Sequence, residues 1–249
     1  MTDTRIDGFL DGRLRIAQPV RGYRAGADAV MLAAACPARP GQAVLELGCG
    51  AGVASLCLGW RVADLTITGL ERQEGYAALA CANAAANGIA LRVLTGDLSA
   101  MPAALRAMAF DHVIMNPPYF LGGTPAPDAG RAQARSEETP LALWVEAGLR
   151  RLRPGGWLTA IQRADRLDGL IAALAGQAGG IAIRPVAARQ GAEAGRVLVC
   201  ARKGARTPLR LLAPLLTHDA EGEDGGLSPA TARILRDGLP IDMGIAKVA

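Results

Sequence analysis

Residues Glu46-Leu-Gly-Cys-Gly-Ala-Gly52 set three alternating glycines directly after the short apolar run Ala43-Val-Leu-Glu-Leu47. A strand that ends in such a turn is feeding a helix, because glycine reaches the backbone conformations that a sharp reversal needs. Ala51 to Arg61 supplies that helical pattern, and the alternation then repeats. Leu65–Leu70 reads as a strand, Gly75–Asn87 as an alanine-rich helix closed by Gly88, and Leu91–Leu94 and Phe110–Met115 as strands. Further on come a helix at Leu141–Leu152, a Pro154-Gly-Gly156 turn into a strand at Trp157–Gln162, and a helix at Leu167–Ala175. Two last strands near Ile181–Val186 and Arg196–Ala201 have no helix between them. Strands separated by helices require crossovers, so the prediction is a mostly parallel seven-stranded sheet, helices on both faces, closed by an antiparallel hairpin. Pro117–Pro140 reads as a long loop, and Ser228-Pro229 as an N-cap with proline at the first helical position.

The chain has 249 residues, 51% of them hydrophobic, which suits one α/β domain. Its expected parts are an N-terminal segment (1–40), a core (41–203) and a C-terminal extension (204–249). The longest apolar run, Ala29 to Cys36, stops at Pro37 and falls short of the ~20 residues of a membrane span, so it reads as a buried helix. Met1-Thr-Asp-Thr-Arg5 lacks the basic-then-apolar layout of a secretion signal. The expectation is a cytoplasmic protein with no membrane partner. The five cysteines (36, 49, 57, 81, 200) form no Cys-x-x-Cys pair, and the histidines are His112 and His218 alone. That pattern favours reduced thiols, and it leaves metal sites and histidine-dependent nucleophiles without support. The net charge of +4 is carried almost wholly by arginine, since lysine stands only at 203 and 247. Such a balance tolerates a polyanionic partner without demanding one.

The glycine turn does not fit the dinucleotide fingerprint Gly-x-Gly-x-x-Gly. Counting from Gly48 the sixth position is Val53, and from Gly50 it is Ser55; no Walker lysine follows. The spacing Glu-x-Gly-x-Gly-x-Gly instead resembles motif I of the class I S-adenosylmethionine methyltransferases, which have a Rossmann-like fold. That resemblance implies a cofactor site in which Glu46 lies near the methionine moiety, while Gly48, Cys49, Gly50 and Gly52 form the approaching loop. It also implies that Glu71, at the end of the second strand and followed by Arg72, takes the ribose hydroxyls. Asp97, with Leu98 after the third strand, would meet the adenine amine. Each acid alone reads as an exposed strand-end carboxylate. Three at successive strand ends beside one glycine turn read better as a site.

Asn116-Pro-Pro-Tyr119 directly follows the fourth strand. Alone it could be a turn, since both residue types favour one. At a strand end downstream of motif I it resembles the motif of methyltransferases that act on amines conjugated to a planar system: adenine exocyclic amines, guanine N2 of RNA, and glutamine amides of release factors. The amine's lone pair is delocalised, so it is a weak nucleophile. The side-chain oxygen of Asn116 and the carbonyl of Pro117 can each accept one amine hydrogen and turn the lone pair towards the methyl group. Pro117 and Pro118 stiffen the acceptors, and Tyr119 offers a ring for stacking. Asn116 thereby borders the cofactor as well as the substrate.

A second resemblance narrows the family. Gln18 to Leu32, containing Gly22-Tyr-Arg-Ala-Gly-Ala-Asp28, is similar to the segment before motif I in bacterial tRNA1(Val) (adenine-37-N6)-methyltransferases. Ala134-Arg-Ser-Glu137, Arg202-Lys-Gly204 and Leu227–Leu235 are looser likenesses to the same group, and Ser136 departs from its histidine. The resemblance implies that Tyr23, Arg24 and Asp28 cover the cofactor pocket; read by themselves, Tyr23 and Arg24 anchor a surface turn and Asp28 caps a helix starting at Ala29. It implies S-adenosyl-L-methionine as cofactor, S-adenosyl-L-homocysteine as product, and an RNA substrate, tRNA, methylated at adenine N6. Protein glutamine-N5 and rRNA guanine-N2 methylation stay open as alternatives. The short stretch before the first strand disfavours the glutamine reading. Arg13, Arg15, Arg21, Arg24, Arg131 and Arg135 are candidate phosphate contacts.

Overall fold

A computed structural model describes residues 3–118, 139–219 and 226–245. The predicted alternation is present. Strands β3 (Ala43–Leu47), β4 (Thr66–Glu71), β5 (Leu91–Thr95), β6 (Phe110–Met115), β7 (Leu152–Arg163), β8 (Ala178–Ala187) and β9 (Ala194–Lys203) form one sheet in the order β5-β4-β3-β6-β7-β9-β8. Within this run only β9 is antiparallel to its neighbours. The chain lays down β3, β4 and β5 in one direction, then returns to the other side of β3 with β6. That places a topological switch point between β3 and β6, where ligands bind in open sheets of this kind. Both sequence motifs lie at that edge, because one follows β3 and the other follows β6.

The central strands are buried without alternation, as befits a sheet covered on both sides. Val44 and Ile114 face one core with α1 (Ala27–Ala35) and α2 (Val53–Arg61). Leu45, Leu47, Val113 and Met115 face the other with α5 (Leu141–Arg151) and α6 (Leu167–Leu174), joined by Leu105 of the short α4 (Ala103–Arg106). The third helix, α3 (Glu74–Ala86), lies beside β5 and closes with Gly88 at φ +64°.

Four features differ from expectation. Thr4–Phe9 (β1) and Leu14–Pro19 (β2) form an antiparallel hairpin, turned by Leu10, Asp11 and Gly12 at positive φ. The helix α1 starts at Ala27 with Gly26 as its N-cap and no side-chain cap, so Asp28 is not the cap; its carboxylate accepts from Arg196 Nε at 3.0 Å. Pro154-Gly-Gly156 does not break the strand. It forms a bulge, since Phe110 pairs with Leu152 but His112 with Trp157, and Gly156 leaves room for the Asp111 carbonyl, 2.9 Å from where a Cβ would sit. The β8–β9 hairpin does not end the sheet. Arg210–Leu211 (β10) and Leu215–Leu216 (β11) pair parallel with β8, making nine strands among the described residues. Ser228 caps α7 (Pro229–Asp237) as expected, its Oγ accepting from Thr231 N at 3.2 Å. No described helix is long and apolar enough to cross a membrane.

Candidate active site

The glycine turn after β3 works because three residues adopt the left-handed region: Gly48 at φ +66°, Gly50 at +54° and Gly52 at +86°. Two of them face a cleft of about 300 Å³ at the switch point, and the third builds the turn from behind. A Cβ on Gly48 would stand 2.6 Å from Cη2 of Trp144, while one on Gly50 would approach the Tyr23 ring at 3.9 Å. Gly52 is the N-cap of α2 and packs towards Ala80 and Leu91. Cys49 also points away from the cleft: its Sγ lies 2.7 Å from where a Cβ on Gly69 would be.

Glu46 is buried on the helix side of β3. Its Oε2 accepts from the Ser55 backbone N–H at 2.9 Å and from the Ser55 hydroxyl, so it stands in for the missing side-chain cap of α2. Burial pushes its pKa up to about 8; the Ser55 hydrogen bonds oppose that shift and the nearby Glu71 carboxylate adds to it. The cleft is lined without it. Glu71, at the end of β4, does line the cleft. Its Oε2 accepts from Gly50 N at 2.9 Å and its Oε1 from Gln73 N at 2.8 Å, which ties the glycine turn to the second strand. A carboxylate has about four acceptor positions, so both oxygens retain capacity for hydroxyl donors. Asp97 uses Oδ1 in a local turn, accepting from Ser99 N and Oγ at 2.7 and 2.6 Å, and those bonds hold its pKa below the usual range. Asp97, Leu98 and Arg72 are all at the cleft wall.

Opposite the glycine turn, at the end of β6, Asn116, Pro117 and Pro118 line the same cleft; Tyr119 lies outside the described residues. Asn116 Nδ2 donates to the Tyr23 hydroxyl at 3.3 Å. Among the segment residues proposed to cover the pocket, Tyr23 alone lines it. The Arg24 guanidinium instead grips both oxygens of Asp7 at 2.8 and 2.7 Å, and Asp28 is paired with Arg196. Both act as struts of the hairpin and the first helix. Arg13 is also engaged, donating to the Leu10 and Arg236 carbonyls and lying over Trp60, whereas Arg15 and Arg21 are exposed. Arg131 and Arg135 lie outside the described residues.

Leu70, Gln73, Tyr76, Gly96, Thr139 and Trp144 also line the cleft and were not singled out from the sequence; three of them shape it most. Tyr76, in the first turn of α3, donates its hydroxyl to the Tyr23 carbonyl at 2.8 Å. Gln73 precedes that helix, and its position two residues after a strand-end acid was the available signal. Trp144, on α5, is buried against Gly48, and its indole Nε1 has no hydrogen-bond partner among the described residues. Nothing local in the sequence marks it, since it falls on the apolar face of an ordinary amphipathic helix. Among the described residues no group of histidine, cysteine or carboxylate side chains could hold a metal.

Comparison with known proteins is consistent with this arrangement. Residues 26–165 match the model of the methyltransferase small domain family. The tRNA1(Val) (adenine(37)-N6)-methyltransferase of Porphyromonas gingivalis is 34% identical over 173 residues, covering 66% of this chain and 68% of the relative. Its counterpart in Dickeya chrysanthemi is 30% identical over 215 residues, covering 84% of each. Among solved structures, a predicted O-methyltransferase from Agrobacterium tumefaciens superposes with a TM-score of 0.71 at 27% identity, covering 86% of this chain and 98% of that one. The tRNA (m1A58) methyltransferase of Aquifex aeolicus shares the fold at a TM-score of 0.53 and 15% identity, covering 76% of this chain and 73% of its own.

Proposed function

Since the chain belongs to the methyltransferase small domain family, we propose that it transfers a methyl group from S-adenosyl-L-methionine to the exocyclic N6 of an adenine in tRNA, of the tRNA1(Val) position-37 type. The observation that carries this reading is the pairing of Asn116 and Pro117 with Gly48 and Gly50 across one cleft at the β3/β6 switch point. The cofactor supplies an electrophilic methyl group on a sulfonium. Its chemistry fits the residues present. A cation with ribose hydroxyls and an amine needs acceptors, and Glu71 and Asp97 offer them on one wall. A close backbone approach needs positions without a Cβ, and Gly48 has no space for one.

On the substrate side, Asn116 Oδ1 and the Pro117 carbonyl accept one hydrogen each from an amine that has two. That grip orients the nitrogen lone pair, and fixed acceptors lower the barrier without needing a strong base. The Agrobacterium neighbour is described as an O-methyltransferase, but a hydroxyl presents a single hydrogen and would leave one acceptor of this pair unused. Glu46 and Cys49 are assigned to the turn's support, and Arg24 and Asp28 to the framework that carries Tyr23. The N-terminal hairpin and the C-terminal helix belong to the same domain in this reading. Asn83 joins the hairpin to α3, and Ile241 N donates to the Ala34 carbonyl at 2.9 Å. We infer from that substrate class that the protein acts in the cytoplasm.

The test is methyl transfer from labelled cofactor to unmodified tRNA1(Val), followed by nucleoside mass spectrometry. N6-methyladenosine is the expected product. Label in N2-methylguanosine, or in release factor offered in parallel, would replace this assignment with one of the two alternatives. Calorimetric titration should show binding of S-adenosyl-L-homocysteine, and a chain that binds none is not this enzyme.

A further inference from the structure

Residues 18–25 form a loop closed at its base by one side chain. Gln18 is 1% exposed; its Oε1 accepts from Ala25 N at 2.8 Å, and its Nε2 donates to the Ala25 carbonyl at 3.1 Å and to Asp7 Oδ2 at 2.9 Å. Val20 N donates to the Asp3 carbonyl at 2.9 Å, and the Arg24 guanidinium grips Asp7. These bonds tie the base of the loop to the N-terminal hairpin. The tip, Gly22-Tyr23, is anchored elsewhere. The Tyr76 hydroxyl, from the first turn of α3, donates to the Tyr23 carbonyl at 2.8 Å. A carbonyl can only accept, so this bond runs one way.

Gly22 is shaped for that contact. At φ +108° it occupies backbone that other residues avoid, and a Cβ on it would stand 3.0 Å from Tyr76 Oη. Tyr76 lines the cleft beside Glu71 and Gln73. Tyr23 spans it, with Cε1 3.9 Å from where a Cβ on Gly50 would stand and its hydroxyl 3.3 Å from Asn116 Nδ2. Burial, with the Glu71 carboxylate nearby, raises the Tyr76 phenol above its usual 10 against the opposing effect of the Tyr23 bond, so the hydroxyl keeps the proton it donates. Resting on the cofactor half of the reading above, we infer that Tyr76 is a positioning residue for the S-adenosyl-L-methionine site: its hydroxyl holds the Gly22-Tyr23 turn closed over the cleft, so that the cofactor meets a wall already formed. A turn without this anchor spends part of its time away from the cleft, and apparent affinity falls with the fraction of molecules whose site is complete.

Tyr76→Phe keeps the ring on the cleft wall and removes the hydroxyl. Binding of S-adenosyl-L-homocysteine, measured by calorimetry, should weaken by about two- to tenfold, the worth of one neutral hydrogen bond. KM for S-adenosyl-L-methionine should rise by the same factor, while kcat at saturating cofactor stays within about twofold, because bound cofactor draws the turn closed again. Gly22→Ala separates the anchor from a direct contact between Tyr76 and the cofactor. Its Cβ pushes the turn off an intact Tyr76 hydroxyl, so the loss of affinity should be larger by about twofold or more in the wild-type background than in Tyr76→Phe, where the bond is already gone. An equal loss from Gly22→Ala in both backgrounds overturns the proposal. So does unchanged affinity in Tyr76→Phe, whether or not its unfolding temperature falls. A spectroscopic readout does not depend on activity. In 1H–15N spectra of the unliganded chain, Tyr76→Phe should shift the Arg24 amide, whose peptide carries the Tyr23 carbonyl, and lower the order parameters of residues 21–24 while Gln18 stays rigid. An unmoved Arg24 amide overturns the anchor. If the wild-type chain binds no S-adenosyl-L-homocysteine, the function above has failed, and these spectra still decide whether Tyr76 holds the turn.

Discussion

Asn83 is the side chain on which the coupling between the N-terminal hairpin and the glycine turn depends. It sits on α3 at 3% exposure and makes three hydrogen bonds. Its Oδ1 accepts from Ala17 N at 2.8 Å, and its Nδ2 donates to the Ala17 carbonyl at 2.9 Å and to the Ala51 carbonyl at 3.0 Å. The amide thus pairs with β2 as another strand would, and in addition holds the turn between Gly50 and Gly52. Asn83→Ala leaves one N–H and two carbonyls unsatisfied in a site with little water. At about 1 kcal/mol for each bond the cost is about 3 kcal/mol. For a chain of this size that lowers Tm by about 6–12 °C. Asn87, one helical turn on, makes the same paired contact with Arg15, at 3.0 Å in both directions, but near the surface, where water replaces what is lost. Asn87→Ala should therefore cost below about 1 kcal/mol. Differential scanning calorimetry checks both, and titration with S-adenosyl-L-homocysteine should show weakened binding for Asn83→Ala alone. If the two variants lose equal stability, or if Asn83→Ala lies within about 0.5 kcal/mol of wild type, the amide does not carry the junction.

Gly48→Ala should abolish measurable binding of S-adenosyl-L-homocysteine, because a Cβ 2.6 Å from Trp144 meets a ring that cannot yield and φ +66° disfavours any side chain; retained affinity in calorimetry would show that the turn has slack. Asn116→Ala should lower kcat by about a hundredfold or more while cofactor affinity changes by less than about threefold, and turnover within a few-fold of wild type would remove Asn116 from the chemistry. His112 is buried with Nε2 donating to Gln42 Oε1 at 2.8 Å and Nδ1 without a partner among the described residues, and burial pulls its pKa down to about 4 from the usual 6.5. The folded state therefore holds the ring neutral. Its contribution is present above pH 6.5 and lost as the pH falls towards 4, up to about 3 kcal/mol, so His112→Gln should flatten the acid side of a stability–pH curve measured by urea unfolding. Glu46 has the opposite sign. Its folded pKa near 8 lies above the unfolded 4.5, so stability is greatest below 4.5 and falls as the pH rises to 8. Glu46→Gln, which keeps the acceptor for Ser55, should gain on wild type across that window, and a constant offset would mean that the carboxyl is not held protonated.

What the sequence made legible follows from which features are local. The glycine turn, the strand-end acids and Asn116-Pro117-Pro118 each announce themselves within a few residues, since a backbone reversal or a rigid acceptor has to be built from particular residue types. The parallel sheet follows from them, because β3, β4 and β6 are buried almost without interruption and each must be reached by a crossover. The hairpin was harder. Asp11-Gly12 before Leu14-x-Ile16 is a hairpin signal, but β1 is mostly exposed along its length and carries little apolar pattern. The strands β10 and β11 have two residues each and exist only because the open edge of β8 accepts them, which no local propensity can show.

The site residues divide in the same way. The resemblance to motif I implies a cofactor contact for Glu46, yet β3 turns its side chain towards α2, where Ser55 takes it. The parity of a strand decides this, and parity is fixed only when the sheet's two faces are known. The converse holds for the asparagines of α3. Asn83 and Asn87 are four residues apart, a spacing of about 6 Å along one helix face, and they meet Ala17 and Arg15, two residues apart and about 6.7 Å along a strand. An Asn-x-x-x-Asn pair in an otherwise alanine-rich helix is thus a readable mark of a strand laid alongside, once one asks what a helix could offer to unpaired backbone. Tyr76 and Trp144 offer no comparable mark, because each becomes part of the cleft only through contact with a residue distant in the chain, Tyr23 for the first and Gly48 for the second. The Asn-Pro-Pro motif could be read from neighbours in sequence, whereas its contact with Tyr23, 93 residues away, becomes visible only when the segments meet.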